Sequence, residues 1–319
     1  MASTQRAQDV VTGLPVDPAD APLIREQWDA NWGYCGETSL IAAGMTFGQY
    51  ASQFTVRALA SPGLPQVQEA SQLLLGVNDK AAARVMHLTV SQYNESGGLT
   101  DRARAARFVS WMRDRIAEGA RVVLGVYIKG SRDAEYDHIV PAVDLVASGV
   151  ENGGRSWLND RLFFSDNYGR LRAGTFRSLF RDRRGANVSS APPYSIPSRV
   201  NHYAVAIAGV ADRERVTIPV MLQASRRGEP ELADGALLPP TPEPLAIRAT
   251  VLIPDQNQSY NLYRYDDFGK VPEASFNAAA ANAIQSWVIP AHSGATVAFD
   301  VDVLTSDTAV FRAVPSTAL

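Results

Sequence analysis

Trp32-Gly33-Tyr34-Cys35-Gly36-Glu37-Thr38-Ser39-Leu40 holds the only cysteine of the 319 residues, and its reading decides the fold. From Thr38 to about Gln53 the sequence reads as helix, which puts the thiol at a helix N-terminus. The positive end of the helix dipole favours thiolate there. Glycines on both sides of Tyr34-Cys35 allow a tight turn and a close backbone approach. A lone cysteine closes no internal disulfide, so a nucleophile competes with the usual fate of a free thiol, a small buried hydrophobe. The residues that follow supply the partners a nucleophile needs.

Working outward, residues 1 to 25 read as an extended arm, because Pro15, Pro18 and Pro22 discourage helix. Residues 46 to 60 extend the cysteine helix until Ser61-Pro62-Gly63 breaks it. Pro65 to Leu75 is expected to be helical, with Pro65 in its first turn and Gly76 at its end. Residues 79 to 90 match neither period. Asp101 to Gly119 has the clearest helical spacing, through Ala105, Phe108, Val109, Met112 and Ile116. The period then shortens. Val122 to Ile128, His138 to Val146 and Arg161 to Asp166 read as strands, with Pro141 marking an edge or bulge. Thr175 caps a short helix reaching about Asp182, and His202 to Val210 and Val216 to Leu222 are further strands.

Arg226 to Pro244 is rich in Gly, Pro and charge and reads as a linker. Beyond it, Ala246–Ile253, Tyr260–Tyr265, Thr296–Val303 and Thr308–Val314 alternate like strands, and Ala278 to Ile284 reads as a helical insert. The expected class is therefore α+β. Residues 1–225 form the first domain, 226–244 the linker, and 245–319 a small β-sandwich-like domain.

Thiol catalysis needs an imidazole beside the sulfur and a group that fixes the imidazole's tautomer. His138 begins one strand and Asp166 ends the next, and antiparallel neighbours lie about 5 Å apart. Of the other histidines, His87 lies in the ambiguous segment, and His292 sits in a turn of the second domain. His202 is the rival to His138 but lacks a following acidic strand end. Successive strand residues face opposite ways, so Asp166 or its neighbour Asn167, but not both, serves the histidine.

The run Tyr34-Cys35-Gly36 with Ser39-Leu40 resembles the nucleophile helix of papain-like cysteine peptidases. The nearest pattern is that of the C39-like branch and of phytochelatin synthase. Asp137-His138-Ile139-Val140 and Leu162-Phe163-Phe164-Ser165-Asp166-Asn167 resemble the same group's His and Asp strands. The resemblance spans about residues 25–210. It implies a papain-like fold, with Cys35 as nucleophile, His138 as general base and acid, and Asp166 as orienting group. Asn167 is the alternative in that last role. The family's oxyanion-hole glutamine falls at Asp29 here, which leaves Gln27 and Asn31 as the amide candidates.

Other chemistries find little support. One cysteine and scattered histidines give no metal-ligand spacing, and no glycine-rich phosphate loop implies a nucleotide cofactor. A net charge of −3 offers no basic field for nucleic acid, and no apolar run is long enough for a membrane span. The Arg170, Arg172, Arg177, Arg181, Arg183 and Arg184 cluster reads as a solvated face. The N-terminus shows no secretory signal, which fits a cytoplasmic protein or a secreted one whose signal has been removed. The expected function is thiol-dependent cleavage of a peptide or amide bond in a peptide or protein substrate, through an acyl-thioester on Cys35. An acyl transferase and a catalytically silent binding module are the alternatives.

Overall fold

The computed structural model describes residues 24–93, 101–148, 157–198, 203–232 and 239–317. Most of the extended arm, the rival His202 and part of the linker lie outside the described residues. The helices are α1 (Cys35–Met45), α2 (Gln53–Ala60), α3 (Asp79–Val85), α4 (Asp101–Ala117), α5 (Phe176–Leu179) and α6 (Arg183–Ala186). The first ten strands are β1 (Gln49–Tyr50), β2 (Leu88–Gln92), β3 (Arg121–Ile128), β4 (His138–Val146), β5 (Arg161–Ser165), β6 (Leu171–Thr175), β7 (Phe180–Arg181), β8 (Tyr194–Pro197), β9 (Ala204–Val210) and β10 (Val220–Ala224). They are followed by β11 (Pro244–Leu252), β12 (Tyr260–Tyr265), β13 (Gln285–Ile289), β14 (Thr296–Leu304) and β15 (Ala309–Pro315).

The chain mixes helices with almost wholly antiparallel sheets. The main sheet runs β2-β9-β3-β4-β5-β6, with β8 added to β3 and the short β7 parallel to β8. Its two faces follow the strand period of two. Val123 and Ile139 face the α1 side, whereas Val122, Leu124, Val126, Val140 and Ala142 face the cluster containing Phe108, Val109 and Met112 of α4. Pro141 sits inside β4, opposite Val123, and the β4–β5 register shifts between Ala142 and Asp144. A second pair of sheets, β10-β11-β14 and β1-β15-β12-β13, packs around Leu222, Ile247, Leu262 and Phe311.

α1 is the hub. Residues 36 to 45 are all buried, so it has no solvent face and no apolar stripe to read. It is also shorter than the sequence suggests. The N–H groups of Thr46 and Phe47 turn back to Ala43 and Gly44, Gly48 takes a left-handed φ of 72°, and the chain leaves as β1. β1 pairs with β15, so residues of the expected first domain complete a sheet with strands of the expected second. β10, which precedes the expected linker, pairs with β11 beyond it.

Two helices expected from the sequence are replaced. Between Pro65 and Leu75 only Glu69–Ser71 forms a 3-10 turn. Side chains take the N–H groups that a helix would use: Leu73 donates to Glu37, Leu74 to Asn78 Oδ1 and Leu75 to the Tyr136 hydroxyl. Ala278–Ile284 likewise contains only the 3-10 turn Ala280–Asn282, because Ile284 N–H pairs with Arg264 and the chain becomes β13.

The described start of the linker is docked. Trp28 Nε1 donates to Pro230 O at 2.6 Å, and Gln53 N–H donates to Glu229 Oε1 at 2.9 Å. Burial raises the Glu229 carboxyl to about 7, against lowering by Arg25. An acid whose folded pKa is raised penalises folding once the unfolded chain ionises. The penalty is absent below about pH 4.5, grows toward pH 7 and is complete above it, on the order of 3 kcal/mol. Glu229→Gln keeps the acceptor and removes the charge. It is expected to raise the denaturation midpoint at pH 8 and to leave it nearly unchanged at pH 4.5. Equal shifts at both values would remove burial of this charge as the cause.

Candidate active site

Cys35 is the first residue of α1, preceded by three residues in left-handed backbone: Asn31 (φ 52°), Trp32 (φ 70°) and Gly33 (φ 81°). A bulky residue such as Trp32 holds that conformation only where its surroundings impose it. Arg57 of α2 does so. Its guanidinium donates to Asn31 O at 2.6 Å, to Gln66 O at 3.2 Å and to Gly33 O, and lies 3.6 Å from the Tyr34 ring centroid. Its Nε donates to Glu37 Oε1 at 2.7 Å, in an ion pair with side chains 0% and 1% exposed. Glu37 therefore builds the loop and the α1–Leu73 contact, and it is too buried to receive a substrate amine.

The sulfur lies against β4. Backbone N–H groups of Ile139 and Gly36 point at it and favour thiolate, as does Arg57. Burial outweighs them, helped by the negative charge of Glu37, and pushes the thiol up to about 12. Cys35 therefore rests as a neutral thiol at pH 7.

His138 is fully enclosed. Its ring stacks between Tyr168 and Tyr194, with centroids 5.5 and 5.8 Å away. Burial lowers its pKa against the raising effect of Asp166, so the imidazole is neutral at pH 7. Nε2 lies 2.9 Å from the Asp166 carbonyl oxygen. A carbonyl only accepts, so Nε2 carries the proton and Nδ1 keeps its lone pair. Among the described residues no hydrogen bond runs from the Cys35 sulfur to the His138 ring.

Asp166 thus orients His138 through its backbone rather than its carboxylate. The carboxylate accepts from Tyr168 N–H, Arg170 N–H and, at 2.7 Å, Arg172 Nε. Asn167, with φ 57°, does not reach the imidazole either. Its Nδ2 donates to Ser39 Oγ at 2.8 Å, Ile139 O at 2.9 Å and Cys35 O at 3.1 Å. One amide therefore fastens the first turn of α1 to the residue after His138.

The two oxyanion candidates separate. Asn31 turns its side chain to the Tyr34 hydroxyl. Gln27 Nε2 reaches the Tyr168 hydroxyl at 3.2 Å and lies over Gly33, two residues before Cys35. Gln27 is thus the amide on the cysteine side. Trp28 is core, packed edge-on to Tyr34, whereas Trp32 is 63% exposed on the left-handed turn. His87 bonds Glu273 and the Phe268 carbonyl across to the C-terminal sandwich, a structural role. The arginine cluster is dispersed, with Arg172 on Asp166 and Arg183 on Asp137.

Sequence reasoning missed Arg57, Tyr168 and Tyr136. Arg57 had a signal: on α2 it shares the buried face of Gln53, Val56 and Ala60, where an arginine needs a partner. Tyr168 and Tyr136 both lie near enough to Cys35 for a thiolate there to oppose their ionisation, and Tyr168 also caps His138. Among the described residues no three His, Cys, Asp or Glu side chains gather as a metal site, and no helix is long and apolar enough to cross a membrane. Comparison with family models, curated proteins and solved structures finds no match.

Proposed function

We propose that the chain is a papain-like thiol hydrolase that cleaves a peptide or amide bond through an acyl-thioester on Cys35. The observation that carries this reading is the joint between α1 and β4. The Cys35 sulfur meets the N–H of the residue following His138, and Asn167 bonds both Cys35 O and Ile139 O. The His138 imidazole presents an unprotonated Nδ1 because Asp166 O holds Nε2–H.

Thiol and imidazole both rest neutral, so the proton moves with the attack rather than before it. As sulfur bonds to the substrate carbonyl carbon, its proton passes to Nδ1. The imidazolium, steadied by Asp166 O, returns that proton to the leaving nitrogen as the C–N bond breaks. Gln27 Nε2 and the Cys35 N–H are the donors for the oxyanion. Water, activated by the same Nδ1, then releases the acid. An amine in its place makes the enzyme an acyl transferase. The Tyr168 ring covers His138, so substrate enters beside it and the exposed Trp32.

One observation favours a second reading, a silent binding module. The Asp166 carboxylate is spent on Arg172 and two backbone N–H groups, and the thiol is held protonated. Iodoacetamide alkylation of Cys35 against pH separates the two. Every form of the protein should show a limb rising beyond pH 9 toward the raised thiol pKa. The hydrolase adds a second limb, well below that of the thiolate, which is lost in His138→Ala. Burial extends that limb below the ordinary imidazole pKa, because the base stays neutral to lower pH. A single limb, identical in wild type and His138→Ala, would leave only the module.

A further inference from the structure

At the opposite end of α1 from Cys35, a cavity of about 480 Å³ opens between Thr46–Phe47, β3, β9 and β10 and the buried Phe311–Arg312 pair of β15. Its charged lining comprises Arg121, Arg215, Arg312, Glu118 and Asp212. Arg312 is the anomaly. It is 1% exposed, and among the described residues its Nε and Nη2 have no hydrogen-bond partner. Nη1 alone is used, donating to Phe311 O at 2.8 Å and Phe47 O at 3.4 Å. No salt bridge to Arg312 is present among the described residues. A buried guanidinium without a counter-charge is costly, and native proteins pair such groups.

The cavity's own acids form no ion pair with Arg312, although the Asp212 charge is near enough to favour the cation. Asp212 spends both oxygens on backbone, accepting from Glu214, Arg215 and Thr217 N–H at 2.9, 3.0 and 2.7 Å. Glu118 pairs with Arg115 at 2.7 Å. Arg121 adds a second guanidinium whose Nε is unpartnered, and the exposed Arg215 adds a third charge on the solvent side. Burial lowers Arg312 to about 10, so it stays cationic at pH 7. The remaining wall is mostly apolar, with Phe47, Ile218, Val220, Met221 and Leu252 beside Thr46 and Thr217.

We propose that this cavity binds a small organic oxyanion, a carboxylate or phosphate monoester on an apolar body, with Arg312 as its anchor. Nε and Nη2 form the edge of the guanidinium that grips two oxygens at once. The volume suits a small molecule rather than a bare ion. The site stands apart from Cys35, and the proposal does not depend on thiol chemistry.

The test is calorimetric titration of the full chain with phenylacetate, phenyl phosphate, inorganic phosphate and neutral phenylacetamide. Phenylacetate or phenyl phosphate is expected to bind, with phenylacetamide at least about tenfold weaker. Tighter binding of one anion assigns carboxylate or phosphate. Arg312→Met should weaken the preferred anion by about tenfold or more, because the charge-assisted bonds are lost. Methionine fills similar apolar volume and is compatible with folding. Arg121→Met, at a partly exposed position, should weaken binding severalfold and serves if the first variant does not fold. Absence of binding by either organic anion at millimolar concentration overturns the proposal. So does wild-type affinity in a folded Arg312→Met variant, or in Arg121→Met where only that variant folds, and so does equal affinity for phenylacetamide.

Discussion

Arg57→Leu is expected to destabilise the fold by roughly 3–5 kcal/mol, the cost of leaving one partner of a buried ion pair uncompensated. The substitution strands Glu37, whose carboxylate is already pushed upward by burial and held down chiefly by Arg57. It also removes the donors to Asn31 O, Gly33 O and Gln66 O. The left-handed run Asn31-Trp32-Gly33 loses what imposes it, so the loop carrying Gln27 and Tyr34 toward Cys35 should loosen as well. Urea unfolding measures the first effect. The double variant Arg57→Leu/Glu37→Gln should cost less than the sum of the single changes, since the stranded charge is gone. Strict additivity would mean that Arg57 acts through its carbonyl acceptors and Tyr34, without Glu37.

Gly36→Ala is the second large effect. α1 packs so closely on the Leu73 segment that a Cβ at position 36 would run into the Leu73 carbonyl oxygen. It would also lie 2.9 Å from Leu73 Cδ2 and 3.1 Å from Ile139 Cδ1. Leu73 cannot withdraw freely, because its N–H is bonded to Glu37 on the same helix. Overpacking against backbone should cost about 3 kcal/mol or more, at or above the upper end of the usual range. The shift falls on the Cys35–Ile139 contact, so His138-dependent alkylation should fall along with stability. A Gly36→Ala protein with wild-type stability would show that α1 does not lie so close to the Leu73 carbonyl. The glycine after the cysteine is thus explained by proximity rather than by turn geometry.

Much of the frame was legible in the sequence. β3, β4 and β5 fall where the period-two pattern puts them, and α4 where the helical period does. This is so because each buries a single face or a continuous apolar run. Thr175 caps α5 as expected, accepting from Ser178 N–H. The order Cys35, His138, Asp166 was also readable. The roles of Asp166 and Asn167 were not, because two adjacent turn residues divide the work between a carbonyl and an amide. Pro65–Leu75 has helical spacing but yields its N–H groups to Glu37, Asn78 and Tyr136, partners that no local pattern reveals. The pairing of β1 with β15 joins segments some 260 residues apart and was equally invisible.

The central claim is that Cys35 acts as a nucleophile with His138 as its base. The most direct measurement is acylation by p-nitrophenyl acetate at pH 7, followed by intact-mass spectrometry of wild type, Cys35→Ala and His138→Ala. The account predicts one acetyl group on Cys35 in the wild type and none at that site in Cys35→Ala. In His138→Ala, acylation should slow by about a hundredfold or more, the usual contribution of a general base. An equal acylation rate in wild type and a folded His138→Ala variant, rising only with thiolate above pH 9, would contradict it. Cys35 would then be a half-buried thiol without a base.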